Sequence, residues 1–112
     1  MPLAITITDV DAVTDNIYVF GTLTASGSYA TGGDTLDFTT VGAQIPASQA
    51  PVQTWVGGST GDAYAWIKGT ALNNQKVKIN TASNTELASG AYPARITGDT
   101  SIQFEAVFNK LI

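Results

Sequence analysis

The chain has 112 residues with nine acidic and five basic side chains, and it contains neither histidine nor cysteine. Without imidazoles or thiols it has no usual general base for neutral pH, no usual zinc ligand, no thiol nucleophile and no disulfide. Its net charge of −4 opposes binding to nucleic acid through phosphate neutralisation, so we expect no nucleic acid partner.

The first segment of the chain, residues 1–14, supports two interpretations. Leu3, Ile5 and Ile7 alternate with smaller or polar residues, which indicates a strand with one apolar face. The segment is either the first strand of the domain or an N-terminal arm that pairs with a neighbouring subunit by strand addition.

A second strand is predicted over residues 17–25. Apolar or small residues alternate on one face, while Tyr18 and Phe20 add apolar bulk to the other face before Thr22 and Thr24 make it polar. Apolar side chains on both faces are typical of a strand that lies inside a sheet. We therefore predict a central strand.

A glycine-rich run follows at residues 27–41, GSYATGGDTLDFTTV, and it raises the question of a phosphate-binding loop. Such a loop needs a lysine and a hydroxyl after its last glycine, whereas Gly33 is followed by Asp34. The next residues alternate with a period of two. We therefore predict a tight turn and then a strand over residues 35–39, with Leu36 and Phe38 on its core face.

Three later segments also alternate and are predicted to be strands. Residues 62–69 place Tyr64, Trp66 and Lys68 on one side and smaller or aliphatic residues on the other. In the other two segments the larger apolar residues share one face, which we predict to be the core face: Val77 and Ile79, then Ile102, Phe104, Ala106 and Phe108.

Turn residues separate these segments at the spacing of an antiparallel sandwich or barrel. Only residues 81–92 have room for a helical turn, around Glu86 to Ala88, and a loop fits there equally well. We therefore predict one all-β domain over residues 1–112, an antiparallel β-sandwich of about seven to eight strands with little or no helix.

Trp55, Tyr64 and Trp66 form a candidate aromatic cluster. If they were exposed together, their rings would offer a platform for sugar rings. In a small sandwich such aromatics more often fill the core or an oligomer interface, so we expect a core or interface position.

Carboxylates are the remaining candidates for chemistry. Asp34, Asp62 and Asp99 each follow a glycine at a predicted turn, where aspartate commonly bonds the local backbone. The stretch DVDAVTD at residues 9–15 holds three more aspartates, but it lacks the glycine and the closing glutamate of a calcium-binding loop. We predict no catalytic residue, no metal site and no cofactor.

Charge is unevenly distributed along the chain. Residues 1–67 contain six acids and no base, and residues 68–112 contain five bases and three acids, so the net charges are −6 and +2. This asymmetry could orient subunits against each other or against a larger surface, although chance placement on a solvated surface is the simpler explanation. With so few charges, we expect apolar and backbone contacts to dominate an interface.

The apolar runs of the chain are too short to span a bilayer. Its first residues also lack the basic stretch and the cleavage site of a secretory signal. We expect no membrane partner, and synthesis in the cytoplasm of the producing cell.

Four stretches resemble one known protein family: GTLTASGSYATGGDTLDFTTVG, DAYAWIKG, NQKVKI and ELASGAYPARITGDTSIQFEAVFNKLI. They are similar to small proteins of tailed bacteriophages that are found beside the major capsid protein, the head decoration or cement proteins. The resemblance covers about residues 20 to 112, and it is most specific in SGSYATGGDTLDFT and YPARITGDTSIQFEAVF.

The resemblance implies a jelly-roll-like sandwich that forms a homotrimer, binds the major capsid protein on the outer surface of the virion and stabilises the capsid lattice. It brings no catalytic motif, so the expected function is structural. Leu3, Ile5 and Ile7 then become candidate capsid or subunit contacts. The alternative is a carbohydrate-binding module, exposed on a virion or cell surface, that uses Trp55, Tyr64 and Trp66.

Overall fold

The computed structural model describes residues 3–12, 15–45 and 50–109. Within these ranges nine strands form antiparallel pairs: β1 (Leu3–Ala12), β2 (Asn16–Ala25), β3 (Ser28–Tyr29), β4 (Asp34–Leu36), β5 (Gln53–Gly57), β6 (Ala63–Ile67), β7 (Gln75–Asn80), β8 (Gly90–Ala91) and β9 (Gln103–Asn109). A 3-10 helix (Phe38–Gln44) follows β4, and a short helix α1 (Ala94–Thr97) follows β8. Residues 1–2 and 13–14 of the segment predicted as a first strand or an N-terminal arm lie outside the described residues.

The strands form a four-stranded sheet in the order β1-β2-β9-β5, a three-stranded sheet in the order β4-β7-β6, and a small pair, β3-β8. Going forward along the chain, β2, β3 and β4 pair with β9, β8 and β7, so one long antiparallel ribbon passes from the larger sheet to the other. β5 and β6 extend the two sheets beside β9 and β7. This wrapping confirms the predicted all-β, jelly-roll-like sandwich, with nine described strands rather than seven or eight.

The core lies between the two larger sheets. The ring of Phe38 packs edge-to-face against Phe104 and Phe108, with ring centroids 5.8 and 5.4 Å apart. Every side chain that the alternation of the last two predicted strands assigns to the core is buried: Val77, Ile79, Ile102, Phe104, Ala106 and Phe108. Each of the larger ones contributes roughly 1.5 to 3 kcal/mol when fully buried.

β1 keeps its apolar side chains on one face by means of a bulge. The pairing of β1 with β2 shifts by one residue between Ile7 and Asp9, so that Val10 pairs with Val19 on the core side. Without Thr8 as the extra residue, the period of two would turn Val10 to the opposite face. The bulge therefore keeps Val10 on the same face as Ile5 and Ile7, although Val10 breaks their alternation in the sequence.

The chain leaves the predicted strand over residues 35–39 before its end. Leu36 and Phe38 are both buried as expected, but β4 ends at Leu36 and the 3-10 helix begins at Phe38. Asp37 causes the change, because its carboxylate accepts a hydrogen bond from the backbone N–H of Thr39 at 2.9 Å and so caps the helix. The prediction of a continuous strand is wrong at this point.

The segment around residues 86–88 adopts the loop alternative. Asn84 has a φ of 63°, and the backbone N–H groups of Thr81 and Asn84 bond within the same turn. The short helix α1 lies further on, directly after Pro93, whose fixed φ suits the start of a helix. No helix in the described ranges is long and apolar enough to cross a membrane.

Candidate interaction surface

The four-stranded sheet has one face on the core and another that is largely open to solvent. Along each strand the side chains alternate between the two, and the strand register brings the outward ones together. We call this second side the outer face; its residues are Asp9, Asp11, Tyr18, Phe20, Thr22, Gln53, Trp55, Gly57, Gln103, Glu105 and Val107.

One row of the outer face crosses all four strands. Trp55 is paired with Glu105, Glu105 with Phe20, and Phe20 with Asp9. Neighbouring strands lie about 4.8 Å apart, so aromatic rings and carboxylates alternate at that spacing across the sheet. In the next row, Tyr18 of β2 lies between Val107 of β9 and Asp11 of β1.

The exposed aromatic side chain of this row is Trp55 on the edge strand β5, of which 57% is accessible. Its indole lies along β5 over Gly57, because a Cβ on Gly57 would come within 2.6 Å of the ring carbon Cζ2. A glycine at this position leaves room for the ring beside the strand, where a larger side chain would collide with it. The result is an exposed aromatic plane beside the carboxylate of Glu105.

The other side of the sandwich carries the opposite charge. On the three-stranded sheet, Lys76 pairs with Ile67 and Lys78 with Ala65, and these side chains point away from the core. The outward residues of β4, β6 and β7 include no acid, whereas those of the described outer face include three acids and no base. The three acids of the outer face thus lie on the opposite side of the sandwich from Lys76 and Lys78, and Lys78 also interacts with the carboxylate of Glu86.

The three candidate contact residues near the N-terminus point inward. Leu3 is buried, and Ile5 and Ile7 are half-buried against the same core, all within β1. β1 itself pairs with β2 of the same chain. The side chains that β1 presents to solvent are different ones, among them Asp9 and Asp11.

The structure does not bring Trp55, Tyr64 and Trp66 together on one surface. Tyr64 and Trp66 pair with the buried Ile79 and Val77 and pack against the core, as predicted for a core position. The indole N–H of Trp66 donates to the side-chain oxygen of Gln75 at 2.9 Å. Because Trp55 lies on the outer face, the three-ring platform for a sugar is not assembled.

Three aspartates that follow glycines are buried and act as crosslinks between loops. Asp62 pairs with Arg95 of α1 at 2.9 Å, and Asp99 accepts the backbone N–H and the hydroxyl of Ser59 at 2.9 and 2.8 Å. The N–H of Ser59 is the main reason that the pKa of Asp99 lies below its ordinary value. Asp34 accepts from the backbone N–H of Ala30 and from the hydroxyl of Tyr92. Their oxygens are thus engaged in holding the fold.

The glycine-rich turn is closed by a carboxylate rather than open to phosphate. The N–H of Gly32 donates to Glu86 at 2.6 Å, and the hydroxyl of Tyr29 donates to the same oxygen at 2.7 Å. These two bonds, with the N–H of Gly32 first, hold the pKa of Glu86 below its ordinary value. Gly32 and Gly33 have φ values of 95° and 114°, which favour glycine. The turn interpretation is confirmed.

The acidic stretch at residues 9–15 does not form a metal site in the described part of the chain. Asp9 and Asp11 lie on the outer face of β1, and Asp15 lies at the start of the following strand. Across residues 3–12, 15–45 and 50–109, no three carboxylates are placed to hold an ion together.

A depression of about 520 Å³ lies between the ends of β5, β6 and β9. Its lining includes Val52, Lys68 and Asn109, and much of the rest is small residues. A ligand pocket normally brings several polar groups to one point, and in the described lining only one charged side chain is present. The outer face has the more distinctive chemistry.

Tyr64 has a buried hydroxyl with no hydrogen-bond partner in the described structure. Burial, reinforced by the carboxylates of Asp62 and Asp99, raises its pKa to about 12. We expect Tyr64→Phe to leave stability at pH 7 unchanged or to raise it by about 1 kcal/mol, because the variant removes an unsatisfied group. Above pH 10 the unfolded phenol ionises while the folded one stays neutral. The raised pKa of the folded phenol therefore contributes stability that is complete below pH 10 and is lost as the pH rises through about 12. The variant has no phenol at this position to ionise, so its free energy of unfolding falls less than that of the parent over this range.

Urea unfolding at pH 7 and at pH 11 measures both effects. The matched control is Tyr29→Phe, which removes a hydroxyl that bonds Glu86 at 2.7 Å and accepts from the N–H of Ile79 at 3.2 Å. We expect this control to cost about 1 to 2 kcal/mol at pH 7. Equal destabilisation of the two variants at pH 7 would show that the Tyr64 hydroxyl does have a partner.

The sequence predicts a central strand from the apolar bulk of Tyr18 and Phe20, and this is confirmed, since β2 lies between β1 and β9. Both side chains are partly exposed, because no described layer covers this side of the sheet. Sequence reasoning does not identify the outer face as a surface, because its acids at residues 9, 11 and 105 meet these aromatics only through the register of the strands.

Comparison with known proteins adds no relative. No protein-family model, no curated protein and no solved structure matches this chain. The likeness of about residues 20 to 112 to head decoration proteins therefore depends on the sequence stretches quoted above. The structural observation that bears on function is the outer face, with Trp55 exposed on its edge strand beside Glu105.

Proposed function

We propose that this chain is a structural virion protein, a decoration or cement protein that binds the major capsid protein on the outside of a tailed-phage head and stabilises the capsid lattice. The resemblance of about residues 20 to 112 to that family supports the assignment. The observation that carries it is the outer face, an aromatic and acidic surface on one side of the four-stranded sheet. A protein that only has to hold its neighbours needs such a surface and no chemistry.

A sheet face is a suitable support for adhesion. Strand register fixes the backbone that carries its side chains, so little backbone entropy is lost when they meet a partner. Trp55 supplies the kind of aromatic anchor that concentrates binding energy at interfaces. Many copies on one shell add their separate contacts, because a neighbouring site raises the effective concentration of the next contact.

A homotrimer is part of the proposal, with the virion surface as its location after synthesis in the host cytoplasm. The inward orientation of Leu3, Ile5 and Ile7 moves the proposed contact from these side chains to the outer face. No catalytic role, cofactor, nucleic acid or membrane contact is proposed.

Heads that lack the protein provide the direct test. We expect the purified chain to co-sediment with them and to raise the temperature at which they release their genome, and light scattering of the free protein to give the mass of a trimer. The control is bovine serum albumin at the same concentration. Failure to co-sediment with heads from the phage that encodes the chain contradicts the proposal, and a monomer in solution removes the trimer from it.

A second candidate function is carbohydrate binding by Trp55. The observation in its favour is the exposed indole lying over Gly57, with Gln53 and Glu105 as polar neighbours. Sugar rings stack on such planes while polar neighbours bond their hydroxyls. Binding to a glycan array that disappears in Trp55→Ala would favour this candidate, and an array without signal would exclude the glycans displayed.

A further inference from the structure

We propose that the outer face docks onto a basic protein surface, and that an arginine side chain of the partner stacks on Trp55 while its guanidinium bonds Glu105. The inference rests on the proposed function, which makes the partner a protein surface, and it adds the chemistry of that surface. It replaces the expectation of a mainly apolar interface, because the structure gathers three of the few charges on the face where Trp55 is exposed.

The geometry fits a planar cation. Trp55 offers an exposed aromatic plane, and Glu105 is its direct neighbour on the adjacent strand, about 5 Å away across the sheet. A guanidinium within about 6 Å of an indole centre is attracted by the ring, and its N–H groups point outward in the plane toward a carboxylate at that spacing. Phe20 bounds the other side of Glu105 and offers a second aromatic contact.

The charge of the outer face indicates the charge of the surface that it binds. The described outer face carries three carboxylates, those of Asp9, Asp11 and Glu105, and no cationic side chain. An acidic or phosphate-bearing surface would be repelled by this face, and an uncharged one would leave the carboxylates without partners when they lose water. A surface with arginine or lysine side chains satisfies them.

The basic side of a second copy is the competing occupant. Lys76 and Lys78 lie on the opposite side of the sandwich from the outer face. A contact between two sides of one molecule is heterologous, and it closes a ring only if the rotation between neighbours adds up to a full turn. The acidic and basic faces point in opposite directions, so this contact stacks molecules into an open chain instead of closing a trimer. The partner that fits a closed assembly is therefore a different protein.

The test uses the full chain and two short peptides, one with three arginines spaced by glycine and one with three lysines in the same positions. Two-dimensional 15N NMR follows the backbone amides and the two indole N–H signals. We expect the arginine peptide to shift the Trp55 indole and the amides around Glu105, and to leave the Trp66 indole, which is bonded to Gln75, in place. Its affinity should exceed that of the lysine peptide about two- to fivefold, because only the planar cation stacks well.

Variants assign the site. Trp55→Ala and Glu105→Gln should each weaken the arginine peptide several-fold, whereas Ile67→Ala, an exposed residue of the other sheet, should have no effect. Asp37→Asn is the matched acid control, since asparagine also caps a helix. Binding should weaken as salt rises from 0.1 M to 1 M, where the Debye length falls from about 10 Å to about 3 Å. Unchanged NMR dispersion in each variant verifies that it folds.

Three results overturn the inference. If the NMR shift changes caused by the arginine peptide are spread over all acidic residues, or persist in Trp55→Ala, the peptide binds by general charge attraction and not at this site. Equal affinity for the arginine and lysine peptides contradicts the stacking of an arginine on Trp55. Concentration-dependent shifts of the outer face in the free protein show that a second copy occupies it. Head binding separates the two proposals: heads that bind Trp55→Ala and Glu105→Gln as well as the parent contradict the inference alone, whereas heads that never bind the parent contradict the proposed function while the peptide result stands.

Discussion

Replacement of Phe104 by alanine is expected to lower the free energy of unfolding by about 3 to 5 kcal/mol. The side chain is only 2% exposed, and its ring lies 5.8 Å from that of Phe38 in an edge-to-face contact. Removing it leaves a cavity between the two sheets and also takes a ring contact from Phe38. For a domain whose total stability is typically 5 to 15 kcal/mol, the loss is large enough to threaten folding at 37 °C.

Phe20→Ala is the matched control, because it makes the same chemical change in the same sheet. Phe20 faces outward and is only partly buried, so we expect its loss to cost less than about 1.5 kcal/mol. Urea unfolding monitored by circular dichroism compares the two. If both variants unfold at the same urea concentration, the assignment of inner and outer faces in this sheet is wrong.

Gly21→Ala is expected to destabilise the protein by about 3 kcal/mol, at the upper end of the usual cost of overpacking. A Cβ at this position would overlap the carbonyl oxygen of Thr6 and come within 2.8 Å of the Phe104 ring carbon Cε1. The obstacle is backbone, which cannot rotate away as a side chain does. β1 would have to separate from β2 near its bulge.

Hydrogen exchange of the β1 amides, together with thermal unfolding, measures this effect. Relative to the parent protein, we expect Gly21→Ala to speed amide exchange in β1 more than in β7, which lies in the other sheet. The control is Gly42→Ala in the 3-10 helix, where a Cβ has no other atom within 4 Å. That change should alter stability by less than about 1 kcal/mol and more often raise it, because alanine restricts the unfolded chain. Equal effects of the two substitutions would contradict the close approach of β1 at Gly21.

The sequence predicts the class of fold and the facing of its regular strands because burial imposes a period of two. This signal is strong in the last strand, where Phe104 and Phe108 share a face, and in β7. It is silent about the change at Asp37, since Leu36 and Phe38 are buried whether the chain stays extended or turns into a helix. The bulge at Thr8 is equally hidden, because one extra residue is visible only when the partner strand is known.

The candidate surface was less predictable than the fold. Trp55, Glu105, Phe20 and Asp9 are far apart in the sequence, and only the register of four strands puts them in one row. The three aromatic residues grouped from the sequence lie apart for the same reason: Trp55 and Trp66 are in different sheets and face different environments. Patterns along the chain set which face a residue takes within its strand, whereas neighbours across strands depend on topology.

The place of β9 in the sheet has a consequence for how the protein is made. This strand pairs with both β2 and β5, and it is built from residues 103–109. A nascent chain that has not yet reached these residues can form local hairpins such as β1–β2 and β6–β7, but the larger sheet lacks its centre. The apolar faces of β2 and β5 are then exposed while the chain is still on the ribosome. Pairing between strands so distant in sequence is also intrinsically slow. Closing the larger sheet thus has to wait for β9, and chaperones that shield unpaired strands can act during that interval.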